Sequence, residues 1–142
     1  MSRTFFQALE SSEAGSLFAL EPMLSQLSFD GNGLIPVITQ CAESGEVLMM
    51  AWMNAQALRQ TLDSGWMTYW SRSRACFWVK GESSGHRQRL VEMKFDCDGD
   101  ALLCLVEQTG PACHTGRRHC FYYSVDREEN QVRVTSSVPA AV

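Results

Sequence analysis

The chain is organised around one segment, DCDGDALLCLVEQTGPACHTGRRHC, at residues 96–120. This segment holds four of the six cysteines and two of the three histidines of the 142-residue chain. Asp96, Asp98 and Asp100 alternate along it, so an extended backbone would direct all three carboxylates to one face. Carboxylates crowded in this way repel one another, and a hard divalent cation such as Mg²⁺ or Ca²⁺ relieves the repulsion. The aspartates are therefore candidate ligands of such an ion.

Two other interpretations of the aspartates are open at this point. The first is a solvated acidic turn without an ion. The second is an EF-hand loop, because Glu107 stands at the twelfth position of such a loop. The EF-hand is disfavoured by Ala101, where that loop needs glycine for its sharp turn. It is also disfavoured by the apolar residues 102–106, which predict a buried strand.

Cys97, Cys113 and Cys120 are candidate zinc ligands, because thiolates suit a softer metal than carboxylates do. They lie sixteen and then seven positions apart, a spacing that matches no zinc finger or zinc ribbon. Pattern alone therefore leaves zinc at these cysteines open. Cysteine is often a small buried apolar residue, and we predict that role for Cys41, Cys76 and Cys104.

Length and composition indicate a single globular domain with an ordinary core, since 45% of the residues are hydrophobic and 20% are charged. No apolar run approaches the roughly 20 residues that a membrane span needs. The first residues, MSRTFFQALESSEAGS, lack the apolar stretch of a secretory signal. Six cysteines without such a signal indicate reduced thiols, and we predict a cytoplasmic protein without a membrane partner.

The net charge of -4 hides a local cluster of cations. Eight of the twelve Lys and Arg residues fall at 72–94 and 117–118. An acidic chain with a basic cluster suits a small anionic ligand, whereas broad nucleic-acid binding usually accompanies a basic domain. We therefore expect no nucleic-acid partner.

The periodicity of apolar residues predicts the secondary structure. We expect a short helix around Phe5 to Leu9 and a helix over 55–64, with Asn54 as its N-cap and Gly65 closing it. In the predicted strand 89–95, Val91, Met93 and Phe95 share one face. The other predicted strands cover residues 34–41, 47–53, 66–71, 76–80, 101–108 and 120–125. These elements indicate an α+β fold with a mainly antiparallel β-sheet and a few short helices.

Four motifs make the sequence specific. WSRSR at 70–74, KGESSGHRQ at 80–88, DCDGDALL at 96–103 and GPACHTGRRHCFY at 110–122 resemble phosphoribosyl-AMP cyclohydrolase. That family opens the adenine ring of 1-(5-phosphoribosyl)-AMP by hydrolysis of the N1–C6 bond, the third step of histidine biosynthesis. The resemblance covers residues 28–125. Residues 1–27 are then an N-terminal extension, and residues 126–142 a C-terminal tail that we expect to be frayed.

The resemblance implies an intertwined homodimer with a catalytic zinc ion at the subunit interface. Cys97 of one chain would join Cys113 and Cys120 of the other, with the zinc's fourth position left to water. The aspartates at 96, 98 and 100 match the family's magnesium site. His119 stands where a small polar residue is expected, and its role is open.

The resemblance also implies roles for residues in and around the basic cluster. His114 is the first candidate for the proton carrier and His86 the second. The substrate, phosphoribosyl-AMP, carries two phosphate groups, and their predicted ligands are Arg72, Arg74, Lys80, Ser84 and Gln88. A solvated hairpin tip is the alternative interpretation of the arginines.

Two rival functions can be compared with the motifs. A zinc deaminase carries H-x-E followed by P-C-x-x-C, and neither pattern occurs here. A structural zinc module that binds RNA or a nucleotide through the basic hairpin would need a closed site of four ligands. Three well-placed cysteines disfavour that module unless His114 or His119 supplies the fourth ligand.

Overall fold

The computed structural model describes the backbone of residues 2–140 and the side chains of residues 4–140. Its three helices are α1 (Ser2–Gln7), α2 (Leu20–Ser25) and α3 (Ala55–Ser64). Its strands are β1 (Ile35–Cys41), β2 (Val47–Met53), β3 (Thr68–Ser71), β4 (Cys76–Val79), β5 (Gln88–Phe95), β6 (Leu102–Gln108), β7 (Tyr123–Asp126) and β8 (Gln131–Val134).

The central sheet has four strands in the order β2-β1-β6-β5, and β3-β4 and β7-β8 form two separate hairpins. Strands β1 and β6 run parallel, whereas every other pair is antiparallel. The predicted α+β class with a mainly antiparallel sheet and a few short helices is confirmed.

The core lies on one face of this sheet. In β1 the buried residues alternate, with Ile35 and Val37 fully enclosed, and β6 presents Leu102 and Val106 to the same interior. Alternation of this kind follows from the two-residue period of a strand. Helix α3 closes the interior with Ala57 and its neighbour Leu58.

Helix α3 begins and ends where the sequence predicts. The Asn54 side chain accepts a hydrogen bond of 2.8 Å from the N–H of Ala57, which satisfies one of the free donors at the helix start. At the other end Gly65 adopts a left-handed conformation, and its N–H donates to the Thr61 carbonyl at 2.9 Å. Thr61 also accepts from the N–H of Thr68 at 3.0 Å, which ties the helix to β3.

Two predictions about individual side chains are wrong. The pairing of β5 with β6 shifts between Leu90 and Glu92, and this bulge turns Val91 outward, where it is 51% exposed. Leu90 takes the inward place beside Met93. Cys76 is exposed on β4, although we expected it to be buried.

The N-terminal segment carries the short helix predicted around Phe5, and the C-terminal segment is more structured than the sequence predicts. Phe6, Leu24 and Leu27 belong to the hydrophobic core, so α1 and α2 pack on the domain. At the other end, β8 pairs with β7 where a frayed tail was predicted. The boundaries at residues 27 and 125 stay a prediction. Among residues 2–140, no helix has the length and apolar character needed to cross a membrane.

Candidate metal and substrate site

The three aspartates lie on the turn that joins β5 to β6. The Asp96 carboxylate accepts hydrogen bonds from the N–H groups of Asp100 at 2.9 Å and of Ala101 at 3.2 Å. One carboxylate oxygen each of Asp96, Asp98 and Asp100 lies within 4.8 Å of the others. The predicted clustering is therefore present, but the extended backbone we assumed for it is wrong. The turn itself folds the three side chains together.

Helix α1 supports this turn. Gly99 has a φ of +71°, and a side chain there would collide with the ring of Phe6. The Gly99 carbonyl also accepts a hydrogen bond of 2.8 Å from the N–H of Ser28. Glycine is needed at this position for both its backbone conformation and the close approach of the ring.

The electrostatics of the acidic turn fit a divalent cation. The pKa of Asp100 is raised to about 6, chiefly because its hydrogen bonds to Asp96 and Asp98 favour the protonated form. Burial raises the pKa of Asp96, but hydrogen bonds from Asp100 and Ala101 outweigh it and lower the pKa overall. Without a cation, Asp100 thus keeps its proton up to a pH of about 6, well above the range of an ordinary aspartate. Its all-oxygen donor set is the kind that Mg²⁺ and Ca²⁺ prefer.

The second candidate metal site is the loop at residues 110–122, called here the cysteine loop. Its turn is closed by hydrogen bonds from the Cys113 N–H to the Arg117 carbonyl at 3.2 Å and from the Gly116 N–H to the Cys113 carbonyl at 3.0 Å. The N–H of Cys120 donates to the Leu48 carbonyl at 2.8 Å, which fixes the end of the loop to β2. These bonds bring the thiols of Cys113 and Cys120 together.

The two thiols influence each other's ionisation and differ in acidity. Burial raises the pKa of Cys113, but hydrogen bonds from the hydroxyl and N–H of Thr115 and from Cys120 outweigh it, so its pKa lies below the usual range. Burial and the neighbouring Cys113 raise the pKa of Cys120 to about 11. Cys113 therefore ionises first, with Cys120 as its hydrogen-bond donor. A pair of adjacent thiols is a donor set that suits zinc.

Cys97 does not complete this pair within one chain. It is exposed on the acidic turn between Asp96 and Asp98. In the part of the chain that the structure describes, the three aspartates are the only group of three or more His, Cys, Asp or Glu side chains whose ligand atoms meet. The cysteine loop thus supplies two thiols and leaves room for a third ligand from elsewhere.

A cleft of about 500 Å³ runs beside the cysteine loop. One wall is β4 with the glycine- and serine-rich loop that follows it, and the opposite wall is the cysteine loop itself. The polar side chains that line the cleft include Arg74, Lys80, Ser84, His86, Cys113 and His114. All six are candidate site residues from the sequence, with His86 as the second candidate for the proton carrier, and they come from three separate motifs. The cleft thus joins cations, two imidazoles and the thiol of a candidate zinc ligand in one place.

Comparison with known proteins identifies the family. The family model described as phosphoribosyl-AMP cyclohydrolase matches residues 49–122. The phosphoribosyl-AMP cyclohydrolase of Paracoccus denitrificans is 63% identical over 117 residues, which cover 82% of this chain and 97% of that protein. The chain belongs to the phosphoribosyl-AMP cyclohydrolase family.

Two further relatives match a larger share of the chain. Phosphoribosyl-AMP cyclohydrolase 2 of Pseudomonas fluorescens is 58% identical over 129 residues, covering 91% of this chain and 86% of that protein. The phosphoribosyl-AMP cyclohydrolase of Hydrogenovibrio crunogenus is 53% identical over 127 residues, covering 89% of this chain and 86% of that protein. The family model spans the cleft, the acidic turn and the cysteine loop, whereas α1, α2 and the β7-β8 hairpin lie outside it.

Two of the predicted substrate ligands lie away from the cleft of this family member. Arg72 stacks its guanidinium over the ring of Trp52, 4.8 Å from the ring centroid. Gln88 is fully buried, accepts a hydrogen bond from the Tyr69 hydroxyl at 2.6 Å and donates to Gln108 at 2.8 Å. Its amide is engaged by protein groups in the core and is therefore not open to a ligand in the cleft.

His86, the second candidate for the proton carrier, lies in the cleft. Its ring packs against Gly110, and a side chain at Gly110 would come within 2.6 Å of the His86 Cδ2 atom. Gly110 also has a φ of +70°. The sequence signal was the glycine at the start of the GPACH motif, which marks a close backbone approach.

Proposed function

We propose that the chain is a phosphoribosyl-AMP cyclohydrolase, a zinc- and magnesium-dependent hydrolase of histidine biosynthesis. It would open the adenine ring of 1-(5-phosphoribosyl)-AMP in the third step of that pathway. Water adds its oxygen to C6, the N1–C6 bond breaks, and N1 leaves with a proton. The observation that carries the proposal is the cleft in which Cys113 and His114 face Arg74 and Ser84.

The ligand sets follow from the chemistry of the donors. Cys113 and Cys120, with Cys97 of a second copy, would hold the zinc ion, and Asp96, Asp98 and Asp100 would hold the magnesium ion. When bound, the zinc would lower the pKa of a water molecule towards about 7, which makes that water a nucleophile at neutral pH.

The residues of the cleft have separate tasks. His114, exposed beside Cys113, would accept a proton from the attacking water and return it to N1. Arg74 projects from the β3-β4 turn into the cleft and would bind a phosphate group through its guanidinium. The Ser84 hydroxyl would donate to a phosphate or ribose oxygen. His86, held against Gly110, is the second candidate for proton transfer.

A second copy of the chain is the proposed partner, giving a homodimer. The metal set at the cysteine loop needs a third ligand, and Cys97 is exposed and able to supply it to another chain. The chain also presents apolar surface for such a contact. Ile38 and Met50 are paired across β1 and β2, and both side chains are exposed on the outer face of the sheet.

The β7-β8 hairpin offers the larger apolar surface for the dimer. One of its faces carries Tyr123, Val125, Val132 and Val134, all more than half exposed. An isolated two-stranded hairpin is only marginally stable in water, so a packing partner for this face is expected. Arg117 joins the hairpin to the cysteine loop, because its guanidinium lies 3.9 Å from the Tyr122 ring centroid and its Nε donates to the Ser136 carbonyl at 2.8 Å.

A structural zinc module that binds RNA through the basic hairpin is the weaker alternative. The net charge of -4 disfavours a polyanionic partner. A cytoplasmic location remains part of the proposal, and it is supported by six free cysteines.

An ultraviolet absorbance assay on phosphoribosyl-AMP, combined with metal analysis, tests the function. We expect turnover with zinc bound at one ion per chain, loss of turnover after zinc is chelated, and recovery when zinc is returned. Turnover by a protein from which all zinc has been removed would refute the zinc-dependent mechanism. Absence of turnover by the zinc- and magnesium-loaded protein would refute the proposed activity.

A further inference from the structure

Two cations line the same cleft but have different surroundings. The Arg74 side chain is exposed, and its Nε lies 3.5 Å from the Ser71 hydroxyl on its own hairpin. Lys80 is half-buried, and its Nζ reaches across the cleft to the cysteine loop. A ligand phosphate can approach the first of these groups freely, whereas the second already has protein partners.

The Lys80 side chain contacts the cysteine loop and an aromatic ring of the adjoining strand β4. Its Nζ donates a hydrogen bond of 2.6 Å to the carbonyl of Ala112, a residue that is 2% exposed and directly precedes Cys113. The ammonium also lies 5.2 Å from the centroid of the Trp78 ring, which stabilises a cation. Lys80 therefore fixes the backbone from which the Cys113 thiol projects.

Charge gives Lys80 a second effect on the thiols. Burial lowers the pKa of Lys80, and the charges of Cys120 and Cys113 act in the opposite direction. Lys80 in turn favours the charged form of Cys120. Three thiolates around one divalent zinc ion leave an excess negative charge, and a neighbouring cation reduces its cost in a partly buried site.

We propose that Lys80 is a positioning residue for the metal centre and not a phosphate ligand, because its ammonium group holds the buried Ala112 carbonyl directly before Cys113. This inference rests on the proposed function, since it assumes that Cys113 and Cys120 bind zinc. It revises the sequence-based prediction that Lys80 contacts the substrate. The two cations would then have different roles: Arg74 would bind a substrate phosphate, and Lys80 would position the metal-binding loop thiols.

Zinc affinity, measured by competition with a chromophoric chelator on the full-length protein, tests the inference. Lys80→Met removes both the charge and the hydrogen bond, and we expect zinc affinity to fall about 10- to 100-fold, the usual cost of losing a group that orients a metal ligand. Once zinc is saturating, the KM for phosphoribosyl-AMP should stay close to the wild-type value. Lys80→Arg keeps the charge and a donor, and should restore most of the affinity.

Two matched variants complete the design. Lys94, the only other lysine in the chain, is exposed on β5, so Lys94→Met should leave zinc affinity unchanged. Arg74→Met should raise the KM and leave zinc affinity unchanged. The Tm of each metal-free protein separates loss of fold from loss of metal.

The opposite pattern would overturn the inference. Lys80→Met with wild-type zinc affinity and a raised KM would make Lys80 a phosphate ligand. Equal loss of zinc by Lys80→Arg and Lys80→Met would also contradict it, if both metal-free proteins keep the wild-type Tm. If instead wild-type protein binds no zinc, or Cys113 and Cys120 variants retain it, the proposed function itself fails.

Discussion

The acidic turn and the cysteine loop are both candidate metal sites, but they are built differently. The acidic turn spans residues 96–101, and its Asp100 and Ala101 N–H groups donate to the Asp96 carboxylate. Its three ligand atoms already meet in a single chain. The cysteine loop depends on a strand that is distant in sequence, because the Cys120 N–H donates a hydrogen bond to the Leu48 carbonyl of β2. It contributes only two thiols.

If the zinc site is shared between two chains as proposed, the difference separates a local site from one that depends on assembly. A turn whose ligands are neighbours in sequence forms with the hairpin that contains it. A site whose ligands come from two polypeptides exists only when both have folded and associated. We therefore expect the acidic turn to respond to metal and pH in any folded chain, and the cysteine loop to respond also to dilution and to mixing of subunits.

Loss of a loop thiol has the largest expected effect. Cys113→Ser replaces a thiolate with a hydroxyl, a poor zinc ligand, and should lower kcat/KM at least about a thousandfold, because the activated water is lost. Zinc content should fall in parallel. Cys76→Ser is the matched control, since Cys76 is exposed on β4 outside both clusters. A Cys113→Ser protein with wild-type activity would refute the zinc assignment.

Disruption of the hairpin face comes next. Val125 and Val132 are directly paired on the exposed face of β7-β8. Changing both to Glu would bury unpaired charges in the proposed dimer, and should weaken dimerisation at least about a hundredfold. Sedimentation velocity measures this change, and activity should fall with the dimer fraction. Ser124→Glu, on the polar face beside Arg133, should leave the dimer intact. A fully dimeric double variant would exclude this face from the interface.

A substitution in the acidic turn should lower activity less and should leave zinc binding unchanged. Asp98→Asn removes one negative oxygen ligand, so Mg²⁺ should bind more weakly and kcat/KM should fall about tenfold at limiting Mg²⁺. High Mg²⁺ should recover part of the activity, and zinc content should match the wild type. Loss of zinc from this variant would show that the two sites are coupled.

The smallest expected effect concerns pH. The pKa of Asp100 is raised to about 6, above the value of about 3.9 for an unfolded aspartate. The stability that protonated Asp100 contributes is therefore complete below about pH 3.9. It is lost as the pH rises through about 6.

Thermal denaturation of Asp100→Asn tests the direction of this pH dependence of stability. With chelator present at pH 7.5, the variant should melt about 1 to 3 °C above the wild type, since an exposed repulsion is small. At pH 4.5 the difference should shrink. Saturating Mg²⁺ at pH 7.5 should reverse it, because only the wild type keeps all three carboxylates. A difference that does not change with pH would contradict the crowding of these carboxylates.

Features set by neighbouring residues could be predicted from the sequence. Helix α3 was found with both caps because Asn54 and Gly65 act within one turn of the helix ends. The bulge that exposes Val91 was missed because it depends on the register with β6. Strand β8 could not be predicted because it lies in a polar tail. Nothing in that part of the sequence indicates what would cover its apolar face.

The residues of the site also fall into those that could be predicted from the sequence and those that could not. The motifs placed Arg74, Lys80, Ser84, Cys113 and His114 together, and the cleft unites them. Gln88 was misplaced because a polar residue in a glycine- and serine-rich loop suggested exposure. Its burial is instead stabilised by Tyr69 and Gln108, which lie in other strands and carried no signal of their own.

Subunit mixing tests the shared zinc site most directly. Cys97→Ser and the double variant Cys113→Ser/Cys120→Ser should each be inactive alone. In a mixed dimer, one site keeps Cys97 from one chain and both loop thiols from the other. After complete exchange of equal amounts, about a quarter of wild-type activity should return, since half of the dimers carry one intact site of two. Absence of recovery despite exchange confirmed by mass spectrometry would contradict a zinc site shared between two chains.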